Sequence, residues 1–115
     1  MLTEVFNSVT YYIGKSQQEN HAVIDLGRSS SDRNIWFHLA DMSSCHVVAI
    51  LPPDLSRKER GKIIKHGALL CKQHTAKATT EQKVSVTYAP VASITKGQTP
   101  GSVTFSAEVK RIIYI

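Results

Sequence analysis

His38 and His46, eight positions apart, are the residues whose type and spacing first suggest chemistry in this chain. Each sits in an apolar run, Ile35-Trp36-Phe37-His38-Leu39 and Cys45-His46-Val47-Val48-Ala49-Ile50-Leu51, with polar Asp41-Met42-Ser43-Ser44 between them. Strand-forming residues dominate both runs, so they read as a hairpin with the two imidazoles close across adjacent strands. A metal site would need more: Cys45 and His46 are chain neighbours that point to opposite faces of a strand, and no third ligand stands at a familiar spacing. Nucleophilic catalysis by Ser44 or Cys45 would need a base and an orienting carboxylate, and only Asp41 is near in sequence. The chain is therefore read as a non-enzyme with no catalytic residue, metal or cofactor. The two rings are left either to shape a ligand pocket or to bond backbone and hydroxyl groups at a sheet edge.

Gly14-Lys15-Ser16 is a second candidate, because it lies where a strand hands over to a helix. Free N–H groups and the helix dipole make such a corner receptive to anions, and Lys15 adds a positive charge. The further glycines of a phosphate-binding loop are missing, so a single backbone phosphate of a nucleic acid is a more natural guest than a nucleotide to be hydrolysed. The plainer reading is a helix start with an exposed lysine. Trp36, Tyr11, Tyr12 and Phe37 could stack on a base, with burial in the core as the alternative.

Charge sharpens the picture. Of the 14 Lys and Arg, Arg57, Lys58, Arg60, Lys62, Lys65, Lys72 and Lys77 fall between Asp54 and Thr80 against two acids, so the whole formal charge of +5 resides in that segment. A localised basic face is the footprint of a polyanion partner; a solvated helix face is the bland alternative.

The elements that position these residues follow from periodicity. Val5 to Ile13 alternates as extended structure, with Asn7-Ser8 as a turn. Ser16-Gln17-Gln18-Glu19 has the form of a capping box, and Gly27 suits a helix end, giving a first helix over about 17–26. Ser56-Arg57-Lys58-Glu59 opens a longer helix running to about His74. Its apolar stripe is Ile63, Ile64, Gly67, Leu70 and Cys71, and Lys58, Lys62, Lys65 and Lys72 fall within about 80° of one another on the other side. Strands follow around Val84-Val86-Tyr88, Val103-Phe105 and Arg111 to Ile115. Pro90 marks a strand end or edge, and Pro100-Gly101 marks a type II turn that makes 96–99 an exposed loop tip.

Residues 1–115 fit one domain. Apolar runs of about seven residues fall short of the roughly 20 that span a bilayer, so no transmembrane segment or leader is expected. Cys45 and Cys71 lack C-x-x-C spacing, and Cys71 falls in the apolar helical pattern, which favours a reducing, intracellular and specifically cytoplasmic setting.

Several segments together resemble one known domain: Tyr12-Ile13-Gly14-Lys15, Glu19-Asn20, Ile35-Trp36-Phe37-His38, Ser44-Cys45-His46-Val47 and Pro100-Gly101-Ser102-Val103-Thr104-Phe105. In order and spacing they are similar to the NFACT-R domain, the RNA-binding domain of the NFACT proteins. That resemblance implies a role near translation, since multidomain relatives act in ribosome-associated quality control on stalled large subunits carrying peptidyl-tRNA. The chain looks more like stand-alone versions of the domain, among which DNA binding has been described. The carry-over reaches Lys15, Asn20, Trp36, His38, His46 and Lys96.

The expectation is thus a single α+β domain with a largely antiparallel or mixed sheet and two main helices packed on it. It binds nucleic acid, structured RNA such as tRNA or rRNA being the expected partner and DNA, as in stand-alone relatives, an alternative. Lys15, Lys96 and the stripe Lys58, Lys62, Lys65 and Lys72 contact phosphates, and His38, His46 and Trp36 form a pocket or stack on a base. The alternative partner is a ribosomal or translation-factor protein meeting the basic helix.

Overall fold

A computed structural model describes residues 1–99, 101–105 and 109–115. Strands β1 (Leu2–Phe6) and β2 (Val9–Gly14) pair antiparallel. Between them Asn7 and Ser8 both take positive φ, 49° and 65°. Two such residues make the tight turn whose twist matches that of the flanking strands, and Asn tolerates this region better than most residues.

Helix α1 (Gln17–Ser30) begins as the capping pattern predicts, with Ser16 Oγ accepting from the Glu19 N–H at 3.1 Å. The Glu19 carboxylate reaches one residue further back than a capping box requires, accepting from the Lys15 N–H at 2.9 Å. The expected helix end at Gly27 is corrected, since α1 runs on to Ser30 and Gly27 is buried within it. A Cβ there would stand 2.6 Å from Val48 Cγ1, so this glycine permits close approach of helix to sheet rather than termination.

Strands β3 (Ile35–Leu39) and β4 (His46–Ile50) form the expected histidine-bearing hairpin. Helix α2 (Arg57–Gln73) follows, capped by Ser56 Oγ accepting from the Glu59 N–H at 3.1 Å. Then come β5 (Ser85–Pro90), the two-residue strands β6 (Thr95–Lys96) and β7 (Val103–Thr104), and β8 (Arg111–Tyr114). The expected loop tip starts one residue late, because Lys96 pairs with Val103 in a small ribbon. Gly101 has φ 84° and Ser102 N–H donates to Thr99 O at 3.0 Å, as a type II turn requires. Pro100, the other central residue of that turn, lies outside the described residues.

The main sheet has the order β1-β2-β4-β3-β5-β8, with every neighbouring pair antiparallel. The fold is α+β. Strand alternation sends residues to two different helices, and this decides what can form a site. Ile35, Phe37, Leu39, Val47 and Ala49 pack with Ile63, Ile64, Ala68, Leu70 and Cys71 of α2. Trp36, Val48 and Ala89 pack with Val23 and Ile24 of α1. The helices therefore cover opposite faces of the sheet.

Candidate nucleic-acid interface

Register places the histidine pair. Phe37 pairs with Val47, so continuing the ladder by one step sets His38 opposite His46. Their ring centroids are 4.9 Å apart at 89°, both on the face covered by α1. Trp36, on the same face, donates its indole N–H to His46 Nδ1 at 3.1 Å. An accepting Nδ1 in a neutral imidazole leaves the proton on Nε2. His38 is set the other way: its Nδ1–H donates to Leu39 O at 2.6 Å, which leaves Nε2 with a free lone pair. Burial drives the His46 pKa down to about 3, helped by its neighbours His38 and His21. Burial lowers His38 as well, against the opposing pull of its bond to Leu39. At neutral pH both rings are uncharged, so this pair offers a phosphate no charge.

A cavity of about 550 Å³ opens over the pair, and its lining includes Trp36, His38, His46, Ser102, Phe105 and Lys110. His21 of α1 donates to Ser102 O at 2.9 Å, holding this wall against the helix. Trp36 is only 1% exposed, with His38 stacked at 5.8 Å and Phe105 at 5.5 Å. The expectation that Trp36 stacks on a base is thereby corrected: its ring is pocket floor, with no open face to offer. Ser44 is spent on backbone, accepting from Leu39 N–H at 3.0 Å and donating to Cys45 O at 2.8 Å. Cys45 turns to the α2 face, where its sulfur and that of Cys71 each lie 3.5 Å from the other residue's carbonyl oxygen. Among the described residues no group of three or more His, Cys, Asp or Glu converges as a metal site.

Asn20 is buried at the strand-to-helix corner, and its side-chain oxygen accepts from the His46 backbone N–H at 3.1 Å. It anchors α1 to β4 and also lines the cleft beside it. Lys15 beside it is exposed and lines a cleft of about 430 Å³ with Ser16, Gln17, His74 and Lys77. Lys77, some sixty residues away in sequence, reaches this corner only through the fold; its membership of the basic segment was the one hint.

The lysines separate into two kinds. Lys58, Lys62 and Lys65 are exposed on the side of α2 away from the sheet, and no carboxylate pairs with them among the described residues. Lys72, expected with them, instead donates to Gln82 O and Ile115 O, each at 3.2 Å, and so clamps the connector and the end of β8. Lys96 pairs with Asp25 of α1 at 2.9 Å, which offsets its charge. The structure thus brings Trp36, His38, His46 and Lys96 to the α1 side, sets Lys15 and Asn20 at the strand-to-helix corner beside the end of α2, and leaves Lys58, Lys62 and Lys65 on the outer face of α2.

A family model described as the NFACT protein RNA binding domain matches residues 3–107. The chain belongs to that family. The description of the family is of a domain that binds RNA, which suggests a nucleic-acid partner. A solved structure of the C-terminal part of the fibronectin/fibrinogen-binding protein from Streptococcus suis has the same fold, with a TM-score of 0.81 at 20% identity over 98% of this chain. This chain spans 44% of that one. No curated protein matches the sequence. Among the described residues of this NFACT domain, no helix is long and apolar enough to cross a membrane.

Proposed function

We propose that the chain binds structured RNA of the tRNA or rRNA class, in a translation or ribosome quality-control setting, by laying the outer face of α2 along a phosphate backbone. One observation carries this reading: Lys58, Lys62 and Lys65 present an exposed row of cations without a carboxylate partner among the described residues, whereas Lys72 and Lys96 are already engaged. Such a row contacts phosphates without reading sequence, and Lys15, in the cleft it shares with His74 and Lys77 beyond the end of α2, adds a further phosphate contact. Helical RNA in the A form displays its 2′-hydroxyls in the shallow groove beside those phosphates, giving neighbouring polar side chains a means of preferring RNA.

Binding of labelled tRNA, with duplex DNA of equal charge as competitor, tests the proposal. Reversing Lys58, Lys62 and Lys65 to Glu should remove most tRNA binding, and duplex DNA should compete poorly. Undiminished binding by that triple variant would sink the basic-helix reading, and equal competition by DNA would sink the preference for RNA. Association with a ribosomal protein that survives nuclease treatment would instead favour a protein-docking role.

A further inference from the structure

The cavity over the histidine pair holds two polar atoms whose states are fixed by their neighbours and which no group among the described residues satisfies. His46 Nδ1 is occupied by the Trp36 indole, so its outward atom is a donor, Nε2–H. His38 Nδ1 is occupied by Leu39 O, so its outward atom is an acceptor, bare Nε2. Neither Nε2 has a hydrogen-bond partner among the described residues, yet no side-chain polar atom there is both buried and unsatisfied. Although His46 is only 2% exposed, its Nε2 must therefore open into the cavity that both rings line.

We propose that this cavity, between Trp36, His38, His46 and Phe105, binds one unpaired nucleobase along an edge carrying a hydrogen-bond donor beside an acceptor. A phosphate does not fit, because it would meet two neutral rings and the lone pair of His38. A metal ion does not fit, because only one of the four ring nitrogens is free to ligate it and, with Asp41 also in the lining, no group of three or more His, Cys, Asp or Glu converges among the described residues. A purely apolar guest would strip water from one donor and one acceptor and return nothing. A base supplies both partners at once and a flat ring for the half-buried Phe105 and His38 to contact, in a cavity whose size is ordinary for small-ligand sites. Lys110, exposed at the rim with Nζ 5.9 Å from the Phe105 ring centroid, is placed to take the phosphate of the same nucleotide. The inference rests on the reading of the chain as an RNA binder, but it uses none of the α2 lysines.

Nucleosides, which carry no phosphate, separate the two. Adenosine, guanosine, cytidine and uridine are titrated into the ¹⁵N-labelled protein while the indole N–H of its single tryptophan and the ring nitrogens of His38 and His46 are followed. At least one nucleoside should give saturable shifts of these signals, unchanged in K58E/K62E/K65E and about tenfold weaker in His38→Phe, which keeps a ring and loses the acceptor. Phe105→Ala carries the same expectation should His38→Phe fail to fold. Silence from all four nucleosides at millimolar concentration overturns the inference, as does equal competition by acetamide, which has the same edge without a base ring. If tRNA still binds in that case, the α2 reading stands alone; nucleoside binding without tRNA binding would leave the pocket and remove the α2 reading.

Discussion

The Trp36 indole N–H donates to His46 Nδ1 at 3.1 Å, joining neighbouring strands by a side-chain bond in the face covered by α1. This single contact fixes the His46 tautomer, and burial keeps the ring neutral, so that its outward atom is a donor. It also explains why a tryptophan that reads as a stacking platform is buried.

Trp36→Phe removes both the donor and part of a buried ring. It should cost about 2–4 kcal/mol of stability, combining an unsatisfied acceptor with a cavity. Urea unfolding measures it; a loss below about 0.5 kcal/mol would show that the bond contributes little.

The histidines also set an acid limit. The His46 pKa is lowered by burial to about 3 in the fold, from an ordinary value of 6.5, and that of His38 is lowered too. Below the ordinary value the unfolded chain takes up protons that the folded chain refuses. The stabilisation is therefore complete above about pH 6.5 and is lost as pH falls toward 3, by up to about 1.4 kcal/mol per unit for His46. His46→Asn keeps an acceptor near the Nδ1 position and cannot titrate, so its unfolding free energy should fall less steeply between pH 6.5 and pH 4. Parallel pH profiles for the two proteins would contradict the assignment.

Much of this was legible in the chain. Both Ser-capped helix starts, the Asn7-Ser8 turn and the two histidine strands followed from local patterns whose physics is complete within a few residues. Gly27 misled because a glycine near a helix end and a glycine against a sheet look alike in sequence; only Val48, twenty-one positions on, tells them apart. The lysine stripe was legible as a face of α2 but not as a face opposite the histidines, since strand alternation assigns residues to two sides without saying which helix covers each. Lys72 and Lys96 belonged to the right charge pattern, yet their partners, Ile115 O and the Asp25 carboxylate, are distant in sequence.

Lys72 should accordingly behave unlike its neighbours. Lys72→Met removes two bonds to backbone carbonyls and should cost about 1–2 kcal/mol of stability, read from thermal or urea unfolding. Its tRNA affinity should change less than twofold. A large loss of affinity without a loss of stability would return Lys72 to the binding face.

At Gly67 α2 packs so close to the sheet that a Cβ would overlap the Phe37 ring. Despite the higher helix propensity of alanine, Gly67→Ala should destabilise by about 1–3 kcal/mol through overpacking. Gly61, whose Cβ would meet nothing, is the control: Gly61→Ala should stabilise by up to about 1 kcal/mol. Equal effects at the two positions would mean that α2 is free to lift from the sheet.

The salt dependence of tRNA binding bears most directly on the central claim, because it counts phosphate contacts. If Lys58, Lys62 and Lys65 each neutralise a phosphate, the slope of log K against log salt concentration should be shallower in K58E/K62E/K65E by about 2–3 than in the parent. An unchanged slope, with affinity retained, would place the RNA elsewhere and contradict the account.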